Sequence, residues 1–128
     1  MLYTDEKDYI MRMIKEMVRV LFSVALGKKY VSVEQERENK YAVAGNPLEN
    51  LLRMADQGKI NEAENILLEN LDYGNREEVA AAALFYQYVG EKDTEFLEKN
   101  HYSDEEVIFG MKQLLENSGL GQLVDLPE

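Results

Sequence analysis

The stretch from Asp8 to Lys29, DYIMRMIKEMVRVLFSVALGKK, decides how this chain can fold. Its apolar residues recur every three and four positions. At about 100° per residue they cover more than half of a helix circumference. The polar edge that remains is narrow: Arg12, Lys15, Glu16, Arg19 and Ser23. So broad an apolar face must be covered, either by the rest of the chain, by a partner protein or by a membrane.

We expect the rest of the chain to cover this face, because the other predicted helices each need a place for their own apolar sides. Burying about eight large side chains at about 1.5–3 kcal/mol each would supply much of the core's stabilisation. The predicted dry spine of the domain is Ile10, Met13, Ile14, Met17, Val20, Leu21 and Val24. Self-association through the methionine-rich face is the second hypothesis, and lipid binding is the third.

A membrane span is not expected in this stretch. Its longest uncharged run, Val20–Leu26, is far shorter than the roughly 20 residues that cross a bilayer. Acidic residues precede Ser23-Val24-Ala25, so this small-residue triplet is not expected to end a signal peptide. The chain has no cysteine, which excludes disulfides and thiolate metal sites and favours a reducing cytoplasm.

The charge of the chain is strongly negative but unevenly distributed. The net charge is −11, which argues against general nucleic-acid binding because phosphates repel such a surface. Residues 1–30 contain six Lys or Arg and four Asp or Glu, so they carry +2 and the remainder carries −13. An anionic membrane would attract the first helix but repel the body, which makes membrane binding the weaker alternative.

Capping and stop signals predict about six helices in one all-α domain over residues 1–128. A long helix is predicted over 5–26, capped by Thr4 or Asp5 and ended by Gly27. Residues 30–45 have poor apolar spacing, and we expect a short helix or a connector there, with Ser32 and Gln35 as a capping box. Predicted starts of the later helices are Asn46-Pro47, Asn61, Asn75, Asp93 and Ser103, and predicted stops are Gly58, Gly74, Gly90 and Gly119.

The middle of the chain contains a repeated spacing of glycines and helix caps. Gly58 and Gly90 are 32 residues apart, and so are the caps that follow them, Asn61 and Asp93. A frame of helix, glycine, cap and second helix therefore occurs twice over residues 46–100. A period near 34 with two helices per unit is typical of helical-hairpin arrays.

Residues 57–71, QGKINEAENILLENL, resemble the second half of a tetratricopeptide repeat. In that motif the glycine turns the chain and the alanine lets the two helices meet. The first half departs from the motif, because Asn50 stands where leucine is usual and the aromatic anchor is missing. The second unit keeps the turn without the Glu-Ala pair. We expect two repeat-like hairpins packed on the N-terminal helix, followed by a terminal helix over 103–118 and a docked tail over 120–128.

The segments DYIMRMIKEMVRVLF (8–22) and GKKY (27–30) resemble the start of a family of small uncharacterised proteins of Firmicutes bacteria, classed as a domain of unknown function. The resemblance implies a bacterial cytoplasmic protein. It supplies no activity, cofactor or site residue.

Catalytic, cofactor-binding and metal-binding residues are not predicted. His101 is the only histidine, and a di-iron bundle needs a second Glu-x-x-His pair beside Glu98–His101. The acidic clusters at 77–78 and 104–106 are explained by capping and the helix dipole. Tyr86 belongs to an inner helical stripe, whereas Tyr88 falls on another side. We therefore expect a protein that is not an enzyme.

The predicted function is a non-catalytic scaffold or adaptor that binds a protein or peptide in a groove between helices, and a homo-oligomer is an open possibility. The predicted surface is acidic, so a basic or polar segment is the expected ligand. The step from fold to function is an analogy. The alternative is a peripheral membrane or lipid-sensing protein that acts through the N-terminal helix, followed by an enzyme or small-ligand sensor.

Overall fold

The computed structural model describes the backbone of residues 2–122 and the side chains of residues 6–122, and helices dominate it. A 3-10 turn (Arg37–Asn39) and an antiparallel hairpin of β1 (Ala42–Val43) and β2 (Asn46–Pro47) separate the second and third helices. The all-α prediction is confirmed. The described residues form seven helices: α1 Leu2–Leu26, α2 Val33–Glu36, α3 Leu48–Asp56, α4 Ile60–Glu69, α5 Arg76–Gly90, α6 Thr94–Lys99 and α7 Asp104–Asn117.

Helix α1 ends where the glycine signal predicts. Gly27 adopts a φ of 61°, a left-handed conformation that glycine takes without a Cβ penalty. The Lys28 N–H donates to the Phe22 carbonyl at 3.2 Å, and the Gly27 N–H donates to the Ser23 carbonyl at 3.0 Å. The Gly27 bond, from the N–H of the left-handed glycine to the carbonyl four residues earlier, is the αL C-cap motif, which ends α1 and turns the chain.

The apolar face of α1 is covered by the same chain, as predicted. It packs against α5 and α7. Six of its side chains are at most 8% exposed: Ile10, Ile14, Met17, Val18, Leu21 and Phe22. The prediction is wrong for Val24, which is 53% exposed. Val24 lies on the flank of the apolar arc together with Met13 and Val20, which are half-buried, so neither neighbouring helix covers it.

The centre of the fold is α5, not α1. Every residue of α5 from Val79 to Gly90 is buried except Tyr88. It packs against α1, α3 and α7 and also contacts α2 and β1. The small side chains of Ala80–Ala83 let neighbouring elements approach from all sides, which a ring of large side chains would prevent. The segment Ile10–Val24, which was predicted to be the centre of the domain, instead packs on one side of α5, and α5 is the central helix.

Three of the predicted helix caps are confirmed. The side chains of Asn75, Ser103 and Ser32 each accept a hydrogen bond from the backbone N–H three residues later, at 3.1 Å. These bonds satisfy amide donors that a helix start would otherwise leave unpaired. The short helix expected within 30–45 is therefore present, and it continues into the 3-10 turn and β1.

The predicted start of α3 at Asn46-Pro47 is wrong by one residue. Asn46 pairs with Val43 in the β-hairpin, and Pro47 is the N-cap of α3. Ala44 and Gly45 link the two strands, and both have positive φ, as hairpin turns of type I′ require. The hairpin was not predicted because each strand has only two residues.

Helix α4 also departs from the prediction. It begins at Ile60, and the Asn61 side chain donates to the His101 carbonyl at 3.2 Å instead of capping the helix. It ends at Glu69, five residues before the predicted stop at Gly74. Asp93 occupies the N-cap position of α6, as predicted, without a capping bond from its side chain.

The two predicted hairpins pack differently. Helices α3 and α4 pack against each other after the turn at Gly58, whose φ is 85°. Helix α5 instead makes its main contacts with α1, α3 and α7, and α6 has only six residues. The second unit is thus a long core helix followed by a short surface helix.

The terminal helix is α7, close to the predicted 103–118. Leu120 packs against the core after it, and residues 123–128 of the predicted docked tail lie outside the described residues. Within the described part of the chain, no helix is both long enough and apolar enough to cross a membrane.

Candidate binding groove

A groove follows the polar edge of α1, opposite its core face. The segment 27–32 forms the second wall, because the turn after α1 folds it back along the helix. Tyr30 fixes this segment: it is buried, its ring centroid lies 5.0 Å from that of Phe22, and its hydroxyl donates to Gln87 Oε1 at 2.8 Å. The wall is therefore attached to both α1 and α5.

Three adjoining clefts make up the groove. Clefts of about 500 Å³ and 320 Å³ share Asp8, Met11 and Lys15. A third cleft of about 380 Å³ begins at Arg19, one turn further along α1, and includes Tyr30 beside Val31 of the second cleft. We call this surface the α1 groove, lined by Lys7, Asp8, Met11, Arg12, Lys15, Arg19, Ser23, Gly27–Ser32, Gln87 and Glu91.

The charge of the α1 groove is opposite to that of the whole chain. Among the described residues, six cationic and two anionic side chains line it, a net charge of +4, so the rest of the chain carries −15. Three of the cations are engaged in ion pairs: Lys7 with Asp104, Arg19 with Glu16, and Lys28 with Glu36. Arg12, Lys15 and Lys29 form no ion pair with a described carboxylate, so they are available to an external anion.

Lys7 fastens one end of the groove to the core. Its ammonium donates to the carbonyls of Gly90 and Lys92 at 3.0 and 2.9 Å and to Asp104 Oδ1 at 2.7 Å. Thr94 donates its hydroxyl to the other Asp104 oxygen at 2.7 Å. Three acceptors use all three protons of the ammonium group, so Lys7 has none left for a ligand.

Lys28 and Glu36 brace the other end. Glu36 is buried, and its Oε1 accepts from Lys28 at 2.9 Å, from Tyr41 at 2.8 Å and from Asn39 at 3.0 Å. Burial alone would raise the pKa of Glu36, but these three hydrogen bonds outweigh it and lower the pKa below its ordinary value. The carboxylate, in turn, raises the pKa of Lys28.

The carboxylate of Glu91, which lines the groove, is held in place by a hydrogen bond from Gln87. Gln87 is only 2% exposed and accepts the Tyr30 hydroxyl at its carbonyl oxygen. Its amide nitrogen therefore faces Glu91 and donates to Oε2 at 3.1 Å. Apolar contact surface is also present, because Met11 is half-buried and Val31 is 50% exposed.

The residues that the sequence singled out for chemistry lie elsewhere. His101 is exposed, in a turn with a φ of 63°. Tyr86 is buried, as predicted, and donates to Glu64 at 2.7 Å. Tyr88 is half-buried, donates to Asp56 at 2.7 Å and has two cations over its ring, Arg37 at 5.2 Å and Lys92 at 4.8 Å from the centroid. These contacts give both tyrosines structural roles.

From sequence, the cations of α1 form a narrow polar edge that an anionic membrane would attract, and a groove beside them is not predicted. The signal that could have revealed a groove was the combination of Arg12, Lys15 and Arg19 at helical spacing with Lys28-Lys29 after a chain-reversing glycine. A reversal at Gly27 brings the second group of cations back beside the first.

A model of a family of unknown function, DUF6483, matches residues 4–119. The chain belongs to this family. The predicted resemblance to a family of unknown function is thereby confirmed, while a Firmicutes origin and a tetratricopeptide-like repeat stay predictions. Neither the search of curated proteins nor that of solved structures gave a match. All residues of the α1 groove lie within the part of the chain that the DUF6483 model covers.

Proposed function

We propose that this protein is a non-catalytic binding module that holds an acidic, extended segment of a partner protein in the α1 groove. The observation that carries the proposal is a local excess of cations within a chain of −11. The described lining side chains sum to +4, and still to +1 when the ion-pair partners Glu16, Glu36 and Asp104 are counted. Complementary charge steers a partner to a surface and rejects partners of the wrong sign.

The dimensions of the groove suit an extended peptide. From Asp8 to Ser23 the axis of α1 advances about 22 Å at about 1.5 Å per residue. An extended chain of six or seven residues spans roughly that distance at about 3.3 Å per residue.

The alternation of an extended chain also fits the mixed character of the groove. Successive side chains of a strand point to opposite sides. Acidic residues on one side would meet Arg12, Lys15 and Lys29, while apolar residues between them would reach Met11 and Val31. We therefore expect a ligand in which acidic and apolar residues alternate.

This ligand has the opposite charge to the one expected from sequence. The acidic surface as a whole favoured a basic partner, whereas the concave surface beside α1 is basic. The lipid alternative required the apolar face of α1, which is buried against α5 and α7. A flat anionic membrane would also face parts of the remaining chain, which carries −15 in total, whereas a narrow peptide can enter the groove alone, so we favour the peptide.

The groove also supports a non-catalytic role. Its two described serines, Ser23 and Ser32, have no histidine beside them to act as a base, because His101 is not part of the groove lining. Ser32 is already the N-cap of α2.

Fluorescence anisotropy with a labelled eight-residue peptide of alternating Glu and Val tests the proposal. We expect binding that weakens as salt rises, because exposed charges are screened. Arg12→Glu with Lys15→Glu should weaken binding about tenfold or more, since two attractive contacts become repulsive. The matched control, Lys59→Glu with Lys99→Glu, changes the net charge equally at exposed sites outside the groove and should change affinity less than about twofold.

Two results would contradict the proposal. One is an absence of binding to the acidic peptide, and the other is an equal loss of affinity in both double variants. A second experiment measures binding of the same proteins to anionic lipid vesicles. If the protein binds vesicles but not the peptide, and the groove variant abolishes this binding, the surface serves a membrane instead.

A further inference from the structure

We infer that the α1 groove is electrically polarised and therefore fixes the direction of its ligand, with a cationic end of the ligand beside Asp8 and Glu91 and acidic residues extending toward Lys28 and Lys29. This inference rests on the proposed function. It adds to the acidic segment a second requirement, namely a lysine, an arginine or a free amino terminus at one end.

The position of the charges along α1 carries the inference. Both carboxylates among the described residues of the groove, Asp8 and Glu91, line the cleft at the N-terminal end of α1. Lys7 lies at the same end, but its ammonium is used up by three protein acceptors. The cations without an ion pair to a described carboxylate begin at Arg12, one turn after Asp8. They continue through Lys15, which lines the far side of the same cleft as the two carboxylates, to Lys29 on the opposite wall.

Glu91 is positioned by a buried side chain. Gln87 is 2% exposed, and the Tyr30 hydroxyl occupies its carbonyl oxygen at 2.8 Å. Only the amide nitrogen remains to face Glu91, which it contacts at 3.1 Å. This hydrogen bond holds Oε2 of the exposed Glu91 and leaves Oε1 for a cationic group.

Asp8 adds a second carboxylate at this end. It is exposed and forms no ion pair with a described residue. A ligand ammonium placed here would meet two carboxylates, whereas a ligand carboxylate would be repelled by both. The same ligand reversed in the groove would place its acids against Asp8 and Glu91 and its cation against Lys28 and Lys29, so one direction is favoured.

Two peptides of identical composition test the inference. The polarised peptide has two lysines at one end, followed by glutamates alternating with valines. The mixed peptide has the same residues with the lysines placed between glutamates. We expect the polarised peptide to bind about threefold to tenfold more tightly, as expected for one or two exposed charge contacts.

A variant and its control assign this difference to Glu91. Glu91→Gln should reduce the preference for the polarised peptide to less than about twofold. Glu95→Gln removes an exposed carboxylate of α6 that does not line the groove and should preserve the preference. A nitroxide on the lysine end should broaden the amide signals of Asp8 and Glu91 in the unmodified protein, and one on the acidic end those of Lys28 and Lys29.

The outcomes separate the two proposals. Equal affinity for the two peptides, or nitroxide broadening in the opposite order, would overturn the inferred direction while leaving the acidic-ligand proposal intact. Failure of both peptides and of the Glu-Val peptide to bind would overturn the proposed function and this inference together.

Discussion

Helices α5 and α1 contribute to the same core in opposite ways. Helix α5 is surrounded, and from Val79 to Gly90 only Tyr88 is not buried. Helix α1 is buried on one side, while its other side forms a groove with α5 and the segment 27–32. Helix α5 therefore contributes only Gln87 to the described groove lining, whereas α1 contributes a whole row of side chains that a ligand could contact.

The residue types explain this division. Alanines at 80–83 let several elements approach α5 closely, whereas α1 pairs large apolar residues with cations on the opposite edge. The close approach is most evident at Gly110 of α7, where an added Cβ would lie 2.3 Å from Cε1 of Tyr86 in α5. The contrast predicts large stability effects in α5 and small ones on the outer edge of α1.

The largest expected effect is from truncation of the surrounded helix. Phe85→Ala should lower the free energy of unfolding by about 3–5 kcal/mol, because Phe85 is fully buried and its removal leaves a cavity. Val24→Ala on the flank of α1 should lower it by less than about 0.5 kcal/mol, because Val24 is 53% exposed. Urea unfolding measures both changes, and comparable losses would refute the contrast.

A smaller but specific effect is expected at the contact between α5 and α7. Gly110→Ala should destabilise the fold by about 1–3 kcal/mol, because the new methyl group collides with the Tyr86 ring. Gly74→Ala is the matched control, since its Cβ would meet nothing closer than 3.4 Å. Thermal unfolding of the two variants gives the comparison. Stabilisation by Gly110→Ala would show that the helices are further apart than described.

The ion pair between Lys28 and Glu36 at the end of the α1 groove predicts that the stability of the fold depends on pH. The pKa of Glu36 is lower in the folded state than in the unfolded chain, so its contribution to stability is present above the unfolded pKa. That contribution is lost as the pH falls from about 4.5 through the lower folded value. Glu36→Gln should flatten stability over that range, whereas the exposed control Glu38→Gln should not. The midpoint of urea unfolding is measured at several acid pH values for the unmodified protein and both variants. If the midpoint depends on pH identically in all three proteins, the hydrogen bonds to Glu36 do not stabilise the fold as described.

The smallest stability effect is expected on the groove edge of α1. Lys15→Ala should change the free energy of unfolding by less than about 0.5 kcal/mol, because Lys15 is exposed and unpaired among the described residues. The same variant should weaken binding of the Glu-Val peptide about twofold to fivefold. Chemical denaturation and anisotropy on one sample measure both quantities. A loss of stability without a loss of affinity would assign Lys15 to the fold instead.

Much of the fold could be predicted because its signals are local. The end of α1 at Gly27 and the caps Asn75 and Ser103 depend on a few neighbouring residues, and all three are as predicted. The burial of the α1 face followed from its breadth. The flank residue Val24 was misjudged because periodicity marks a face without showing how far its neighbours extend.

The position of α5 at the centre could not be predicted in the same way. Each of Ala80–Ala83 has little apolar surface, so these residues give a weaker signal of helical hydrophobic periodicity than the large residues of α1. The two-residue strands of the hairpin are too short to show alternation. The groove depends on the reversal at Gly27 and on the buried contact of Tyr30 with Gln87, residues 57 positions apart in sequence.

The central claim is that the outer edge of α1 is a binding surface for acidic segments. Amide chemical-shift mapping of the labelled protein during titration with the Glu-Val peptide tests it most directly. We expect the largest shifts in residues 8–19 and 27–32, with the inner residues of α5 almost unchanged. Shifts centred on α4 or α6, or no shifts at saturating peptide, would contradict it.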